Sequence, residues 1–203
     1  GPDARGNAAV TWADCRNPGG TDTFARRLSA AGPPVGDDFQ VNAMTAGSQS
    51  TGGSAMAPDG RFVVVWRELS TYDIYGRRFD PFGNALGTEF RVNTYTTGQQ
   101  ANPRVALDPA GNFTVVWDNR LQAGESDVHA RRFGADGAPA TGEFPVNAFS
   151  TAFQSVLGIS GFGLDARGNA VVSWVDFRNP GGPATRARRL AAGGPPRGAA
   201  LRV

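Results

Sequence analysis

Three stretches of the sequence repeat a set of side chains that could hold a ligand. Each stretch has an Asn, a large apolar residue two positions later, a Ser or Thr directly after that, and a Gln seven positions after the Asn. Amide groups donate and accept hydrogen bonds, and an apolar side chain offers a contact surface, as in weak recognition of sugars and polar polymers. The predicted ligand-binding residues are Asn42, Met44 and Gln49, then Asn93, Tyr95 and Gln100, then Asn147, Phe149 and Gln154.

The same stretches also have a purely structural interpretation. Asn and Gln side chains satisfy backbone groups in loops, and the large apolar residue would then fill an interface between two sheets. Under the ligand interpretation, three quasi-equivalent pockets would add their affinities by avidity. The sequence leaves both interpretations open.

Residues for catalysis, metal binding or redox chemistry are sparse. His129 is the only histidine and Cys15 the only cysteine, so no second imidazole and no internal disulfide is available. The glutamates form no convergent acid–base pair, and the turns that begin with Asp lack the closely spaced carboxylates of a calcium loop. We therefore predict that the chain is not an enzyme and has no catalytic residue, no metal and no cofactor. The glutamates are Glu68, Glu89, Glu125 and Glu143, and the turn aspartates are Asp3, Asp59, Asp108 and Asp165.

The composition limits the classes of partner that we expect the chain to bind. The 203 residues carry a formal net charge of +2, and all 20 basic residues are Arg. That charge is too small and too evenly distributed for the basic face that binds a phosphate backbone, so we expect no nucleic acid partner. No apolar stretch approaches the roughly 18 residues of a membrane-spanning helix, so we expect no membrane insertion. The 28 Gly and 14 Pro are spread along the chain, which indicates many turns.

The chain consists of four imperfect copies of one repeat. Its tryptophans lie 54, 51 and 57 residues apart, and each ends a short β-prone run. A turn that begins with Asp precedes each tryptophan, and an Arg pair follows it. We predict a single repeat domain over residues 1–203, with copies at about 1–42, 43–93, 94–147 and 148–203. The tryptophans are Trp12, Trp66, Trp117 and Trp174, and the Arg pairs begin at Arg26, Arg77, Arg131 and Arg188.

Each full repeat predicts four antiparallel strands, named a to d in chain order. Strand b is apolar on both faces, as Val63 and Val64 show, so other sheets must cover it from both sides. These features predict an all-β, β-propeller-like fold of four repeats with strand a innermost, either a closed small propeller or a fragment of a larger one. The first repeat is expected to lack its inner strand, since the sequence starts at the turn that follows strand a. In the third copy, strands a to d cover residues 104–107, 113–118, 127–133 and 143–147.

The tryptophans and the Arg pairs each have two interpretations. The tryptophans lie within strands beside valines, which favours core packing over an aromatic cage. Each Arg pair places one guanidinium on each face of strand c. We predict an ion pair between the second Arg and Asp14, Glu68 or Asp176 on the neighbouring strand, with an anion site as the alternative.

The repeat resembles a class of bacterial sequences. VVVW followed by YDIYGRRFDPFGN, and WVDFRNPGG followed by RARRL, are similar to propeller-type repeats of about 50 residues in large secreted or surface proteins of bacteria. The resemblance covers the whole chain. It implies a propeller architecture and a secreted or cell-surface location, and it carries over no catalytic residue.

These features predict a non-catalytic binding or adhesion module that recognises a glycan or a protein partner through loops at the sheet edges. The alternative is a structural assembly unit that forms an oligomer or a filament without a small ligand. A third interpretation is a fragment of a propeller-type glycoside hydrolase. Because strand b of the first repeat would have an unpaired edge, we expect either that the chain was cut from a longer array or that it self-associates through residues 7–12.

Overall fold

The computed structural model describes residues 1–122, 125–148, 153–156, 161–178, 181–194 and 198–202. All regular structure in these residues is β, arranged as four sheets of antiparallel strands, which confirms the all-β prediction. Sheet 1 contains β1 (Ala8–Asp14), β2 (Asp22–Leu28) and β3 (Pro34–Gln40), and sheet 2 contains β4 (Gln49–Met56), β5 (Phe62–Glu68), β6 (Ile74–Phe79) and β7 (Phe90–Arg91). Sheet 3 contains β8 (Gln99–Leu107), β9 (Phe113–Gln122), β10 (Glu125–Phe133) and β11 (Phe144–Pro145), and sheet 4 contains β12 (Gln154–Ser155), β13 (Phe162–Leu164), β14 (Ala170–Asp176), β15 (Ala184–Leu190) and β16 (Leu201–Arg202).

The order of the strands follows the predicted repeat. Sheets 2 and 3 are antiparallel meanders in which each strand pairs with the next along the chain, from strand a to strand d. Sheet 1 has three strands and starts with a strand b, β1, as expected for a repeat without its inner strand. In sheet 4, the short strands β12 and β13 both pair with β14 and together take the place of strand a.

The turns between strands a and b explain why Asp precedes each tryptophan. Asp108 Oδ1 accepts a hydrogen bond from the N–H of Asn112 at 2.9 Å, and Asp108 Oδ2 accepts from Asn112 Nδ2 at 2.9 Å. Gly111 in the same turn has a φ of +88°, which L side chains rarely adopt. The carboxylate therefore replaces backbone partners that a tight turn leaves unsatisfied.

Three apolar interfaces join the sheets face to face. In β5, Val64 and Trp66 pack in the interface with sheet 1, whereas Val63 and Val65 pack in the interface with sheet 3. This two-sided packing is the reason that strand b is apolar on both faces. Core packing is confirmed for three of the tryptophans, which are at most 2% exposed: Trp66, Trp117 and Trp174.

The Arg pairs join neighbouring sheets through backbone carbonyl groups. At the three interfaces between sheets, the first Arg of the later sheet donates back and the second Arg of the earlier sheet donates forward. The predicted ion pairs with Asp14, Glu68 and Asp176 are therefore wrong for the second Arg. A carbonyl oxygen lies within reach at each interface, and the many donors of a guanidinium suit it. The backward bonds are Arg77 to Val41, Arg131 to Val92 and Arg188 to Val146, at 2.8, 2.8 and 2.7 Å; the forward bonds are Arg27 to Pro81, Arg78 to Ala135 and Arg132 to Ala191, at 3.0, 2.8 and 2.7 Å.

Within the described residues, no other sheet covers the outer faces of sheets 1 and 4. Val10 on sheet 1 is 46% exposed and Val171 on sheet 4 is 48% exposed. In the part of the chain that the structure describes, the apolar clusters join sheet 1 to 2, 2 to 3 and 3 to 4, and none joins sheet 4 to sheet 1. The structure therefore establishes stacked antiparallel sheets without establishing a closed ring. These residues also include no helix with the length and apolar character needed to cross a membrane.

Candidate functional site

The stretches predicted to bind a ligand lie at one end of the sheets. Each connects the last strand of one sheet to the first strand of the next, over residues 42–49, 93–100 and 147–154, of which 149–152 lie outside the described residues. The turns between strands b and c share this end because the strands are antiparallel. We call it the crossover end; the turns that begin with Asp before each tryptophan occupy the opposite end.

The three asparagines of these stretches hold each crossover against its sheet. Asn93 Oδ1 accepts a hydrogen bond from the N–H of Ile74 at 2.7 Å, and Asn93 Nδ2 donates to Asp73 and to the carbonyl oxygen of Tyr95. The side chain is buried, so its amide is used inside the protein. Asn42 and Asn147 repeat the pattern: the side chain of Asn42 bonds Thr23 and Asp22, and that of Asn147 bonds Val128 and Asp127.

The three glutamines are buried at the first strand of each sheet. Gln100 Oε1 accepts a hydrogen bond from Trp117 Nε1 at 2.9 Å, and Gln154 Oε1 accepts from Trp174 Nε1 at 3.0 Å. Gln49 instead donates to Glu68 Oε2 at 2.6 Å. Each glutamine therefore links the crossover to strand b in the interior.

In the first two stretches the apolar residue and the Thr that follows it face solvent, whereas the Asn and the Gln are buried. Met44 is 48% exposed and Tyr95 is 60% exposed, so neither fills an interface between sheets as the structural interpretation expected. Phe149 lies outside the described residues. The asparagine and glutamine amides are turned inward while Met44 and Tyr95 are accessible, and ligand binding by these residues stays a prediction.

His129 and Glu143 form a hydrogen-bonded pair beside the second crossover. His129 Nδ1 lies 2.7 Å from Glu143 Oε1, and Glu143 Oε2 accepts from the N–H groups of Thr94 and Tyr95. Burial raises the pKa of Glu143, but the hydrogen bonds from His129, Thr94 and Tyr95 together lower it below its usual value. The Glu143 side chain is 1% exposed, so this carboxylate holds the crossover in place and is closed to solvent.

Asp118 is a buried carboxylate between sheets 3 and 4. Its Oδ2 accepts from Asn102 Nδ2 and from Ser155 Oγ, both at 2.6 Å, and its Oδ1 accepts from the N–H of Val156 at 2.9 Å. Burial raises the pKa of Asp118 above its usual value in spite of these hydrogen bonds. No other described sheet has a carboxylate directly after its tryptophan.

Two guanidinium groups near the start of β8 lack a full set of hydrogen-bond partners among the described residues. Arg67 forms no side-chain hydrogen bond or ion pair with the described residues, and its guanidinium carbon lies 5.7 Å from the centre of the Tyr72 ring. Arg120 NH2 lies 3.6 Å from Asp118 Oδ2, and its buried Nε has no hydrogen-bond partner in the described part of the chain. Burial lowers the pKa of Arg67, and the charge of Arg120 lowers it further. We call Arg67, Tyr72 and Arg120 the arginine patch.

The backbone around the arginine patch is strained. Among the described residues, Tyr72 and Asn102 are the two non-glycines with a left-handed φ, at 60° and 52°. Such a conformation costs on the order of 1–3 kcal/mol and is concentrated at functional sites. The carbonyl oxygen of Tyr72 accepts from the N–H of Gln100 at 3.0 Å, and Gln99 pairs with Arg120. Both arginines of the patch are therefore connected to the first residues of β8, Arg67 through Tyr72 and Arg120 through its pairing with Gln99.

The sequence contains a signal for this patch that the predicted site residues missed. When the repeats are aligned on their tryptophans, the next position points into the following interface, where most neighbours are apolar. The residues there are Ala13, Arg67, Asp118 and Val175, so two of the repeats place a charge where the others have a small or apolar residue. Within the described residues, no three His, Cys, Asp or Glu side chains gather as a metal site would require.

Comparison with known proteins gives a likeness at the level of structure alone. No family model and no curated protein sequence matches the chain. Three solved structures are similar at 12% identity. A Hadza microbial sialidase has a TM-score of 0.54, and the match covers 86% of this chain and 43% of the sialidase. A polysaccharide lyase, an ulvan lyase bound to -[GlcA(1-4)Rha3S]-, has a TM-score of 0.53 with 98% of this chain and 55% of the lyase covered, and an endo-arabinase from Bacteroides thetaiotaomicron has a TM-score of 0.51 with 89% and 70% covered. The chain spans about half the length of the sialidase and of the lyase. At this identity the likeness concerns the fold, an all-β array of antiparallel sheets of the propeller-like kind.

Proposed function

We propose that this chain is a non-catalytic module that binds an acidic glycan at its crossover end. The observation that carries the proposal is the Arg67 guanidinium, which is partly buried and has no hydrogen-bond or ion-pair partner among the described residues. A partly buried cation without a counter-charge gains from a ligand that pairs with it. A carboxylate or sulfate on a sugar is the ligand group of choice, because a guanidinium binds such oxyanions through two parallel hydrogen bonds.

Arg120 adds a second donor group, near enough for its charge to lower the pKa of Arg67. Its nearest carboxylate oxygen, on Asp118, is 3.6 Å away, which is longer than a normal hydrogen bond. That carboxylate already accepts hydrogen bonds from Asn102, Ser155 and Val156. An anion held by both arginines would therefore also relieve the repulsion that now lowers the pKa of Arg67.

Exposed aromatic rings at the crossover end suit a sugar ligand. Tyr72 is 38% exposed and is held beneath Arg67, and Tyr95 is 60% exposed on a crossover that Asn93 and Glu143 fix in place. An exposed tyrosine offers a flat apolar face and a hydroxyl on a side chain with few rotatable bonds. Binding to such a preorganised surface loses little conformational entropy, which favours even a small ligand.

The non-catalytic role is supported by three carboxylates at the crossover end. The side chains of Glu143, Asp118 and Glu68 are buried, and each already accepts several hydrogen bonds within the protein. A glycoside-cleaving pair would need two carboxyl groups that face the same ligand, one of them free to give up a proton. Their positions inside the protein support binding as the activity of this end.

The similar solved structures guide the choice of ligands to test first. One of these proteins is a sialidase and another is a lyase bound to a glucuronic acid-containing saccharide, and their likeness to this chain concerns the fold. Uronic acid oligosaccharides therefore head the panel, with neutral arabinan as a contrast. The proposal also places the module in a secreted or surface protein, where it would meet such polymers.

The test is calorimetric titration of the chain with a glucuronic acid oligosaccharide and with the same oligosaccharide after its carboxyl groups are reduced. We expect the acidic form to bind and the reduced form to bind at least about tenfold more weakly, since hydrogen bonds to charged groups contribute about 1.5–3 kcal/mol. Arg67→Gln should weaken binding of the acidic form to the same degree, and Tyr95→Ala should weaken both forms.

Arg61→Gln is the matched control, because Arg61 lies at the opposite end of sheet 2 and is paired with Asp59 at 2.6 Å. This variant should bind like the unchanged chain. Equal affinity for the acidic and reduced oligosaccharides, or an Arg67→Gln variant that binds as well as the unchanged chain, would refute the proposed site. If no sugar of the panel binds, the glycan proposal fails and a protein partner becomes the better candidate.

A further inference from the structure

The three interfaces between the sheets share one construction. The face of strand b that carries the tryptophan packs against the preceding sheet, and the opposite face packs against the following sheet. In the interface between sheets 2 and 3, for example, Val63 and Val65 contact the side that carries Val115 and Trp117. Every internal interface therefore combines one face with a tryptophan and one face without.

The two outer faces of the array are the two halves of such an interface. The outer face of sheet 1 is the tryptophan face of β1, with Val10 46% exposed and Trp12 partly exposed. The outer face of sheet 4 is the opposite face of β14, with Val171 48% exposed. Val171 and Ser173 line a shallow cavity of about 570 Å³ there, with Arg189 at its edge. The two outer faces differ, and they are the two types of face that pack against each other in the internal interfaces.

The arginine bonds between sheets show the same complementarity. Arg27, Arg78 and Arg132 each donate forward to the turn after strand c of the next sheet. Arg189 is the corresponding residue of sheet 4; it is exposed and has no side-chain partner among the described residues. On sheet 1, Ala30 occupies the turn position that Pro81 and Ala135 occupy in sheets 2 and 3.

The backward arginine bond is also incomplete at the other end of the array. Arg77, Arg131 and Arg188 donate to the preceding sheet, whereas Arg26 on sheet 1 donates to Gly36 of its own sheet. A sheet placed on the outer face of sheet 1 would offer Arg26 the carbonyl partner that its counterparts have.

From these observations we infer that sheet 4 of one chain docks on sheet 1 of a second copy, forming a further interface of the same kind as the internal ones. Val171 of the first copy would pack on Val10 and Trp12 of the second, and Arg189 would donate to the turn at Ala30. The contact joins unlike surfaces, so it is heterologous and produces a closed ring or an open chain of copies according to the angle it sets. This docking is face to face, and it differs from edge pairing along residues 7–12.

The decisive experiment uses two variants that each destroy one face. Val10→Asp damages the outer face of sheet 1, and Val171→Asp damages the outer face of sheet 4. In sedimentation velocity over a dilution series, the unchanged chain should associate with increasing concentration, and each variant alone should remain monomeric. An equimolar mixture of the two variants should form a dimer, because one intact face of each type is then present.

A matched control is Val35→Asp, since Val35 is a similarly exposed valine, 39%, on β3. This variant should associate like the unchanged chain. Circular dichroism checks that each variant is folded, and Arg189→Glu replaces Val171→Asp if the latter does not fold, since the Arg189 side chain has no partner to lose among the described residues. We expect Arg189→Glu to raise the dissociation constant at least about tenfold, because an anion replaces the donor at a desolvated interface.

Other results would overturn the inference. A chain that stays monomeric at every concentration excludes the docking. If Val10→Asp or Val171→Asp alone associates as strongly as the unchanged chain, the contact does not join these two faces. If association persists in Val171→Asp with slow hydrogen exchange at the amides of residues 8–12, the copies pair through the β1 edge instead.

Discussion

The interior interfaces and the outer faces of this molecule are built from the same repeat positions, yet their environments differ. Val64, Val115 and Val172 are fully buried, whereas Val10 at the same position of the first repeat is 46% exposed. The local strand is the same in all four cases. A repeat therefore encodes a sheet with two apolar faces, and burial of each face depends on which sheet lies next to it.

The arginine pairs also differ between the interior interfaces and the outer faces. Arg132 is 5% exposed and bonds carbonyl oxygens of Gly168 and Ala191 in sheet 4, both at 2.7 Å. Arg189 holds the same position in the next repeat and has no such partner among the described residues. A guanidinium at this position therefore contributes to stability only where a following sheet presents its carbonyl groups.

The largest expected contrast is between two tryptophans. Trp117→Ala should lower the free energy of unfolding by about 3–5 kcal/mol, because it empties a fully buried site and removes a hydrogen bond to Gln100. Trp12→Ala should cost about 1 kcal/mol, since Trp12 stacks on Phe24 at an open face. Urea denaturation at a chain concentration too low for association measures both values. Equal losses would contradict the difference between interior and outer faces.

The next contrast is between two arginines. Arg132→Ala should destabilise the chain by about 1–3 kcal/mol, because it leaves buried carbonyl groups of sheet 4 without donors. Arg189→Ala should change the free energy of unfolding by less than about 0.5 kcal/mol. The same denaturation series compares them. A large effect of Arg189→Ala in the monomer would mean that its side chain has a partner within the chain.

The smallest difference is expected in how two carboxylates make the free energy of unfolding depend on pH. The Arg178 guanidinium lowers the pKa of Asp176 from 3.8 to about 2, so its stabilising contribution is complete above the unfolded pKa and is lost as the pH falls toward 2. Burial raises the pKa of Asp118, so this group penalises folding at neutral pH and the penalty disappears as acid protonates it. The two contributions have opposite signs.

Unfolding free energies measured between pH 7 and pH 2 separate these carboxylates. Asp176→Asn should reduce the loss of stability on acidification by about 1 kcal/mol, a value discounted for solvent screening of the partly exposed Arg178. Asp118→Asn should make that loss steeper, because it removes the group that gains from protonation. If Asp118→Asn flattens the pH profile instead, Asp118 is ionised more readily in the folded chain than its burial implies.

Local patterns determined much of this fold in the sequence itself. The β-prone runs that end at Trp66 and Trp117, the Asp turns such as that at Asp108, and the spacing of the copies predict the antiparallel sheets, because these features act through residues that are close in the sequence. Even the three-stranded first sheet follows from counting strands. Burial of both faces of strand b also follows, since Val63 and Val64 cannot both face water at low cost.

Only the tertiary structure determined which hydrogen-bond partners the side chains find in neighbouring sheets. The sequence pairs the second Arg with a carboxylate, but the chain offers it carbonyl groups such as that of Ala135 in the next sheet, at a separation of 57 residues. The inward amides of Asn93 and Gln100, and the exposure of Tyr95, likewise depend on how each crossover lies on its sheet. The positions of Arg67 and Arg120 near the start of β8 have the same origin. The stacking angle and the register of the sheets set these positions, and the local sequence does not determine either of them.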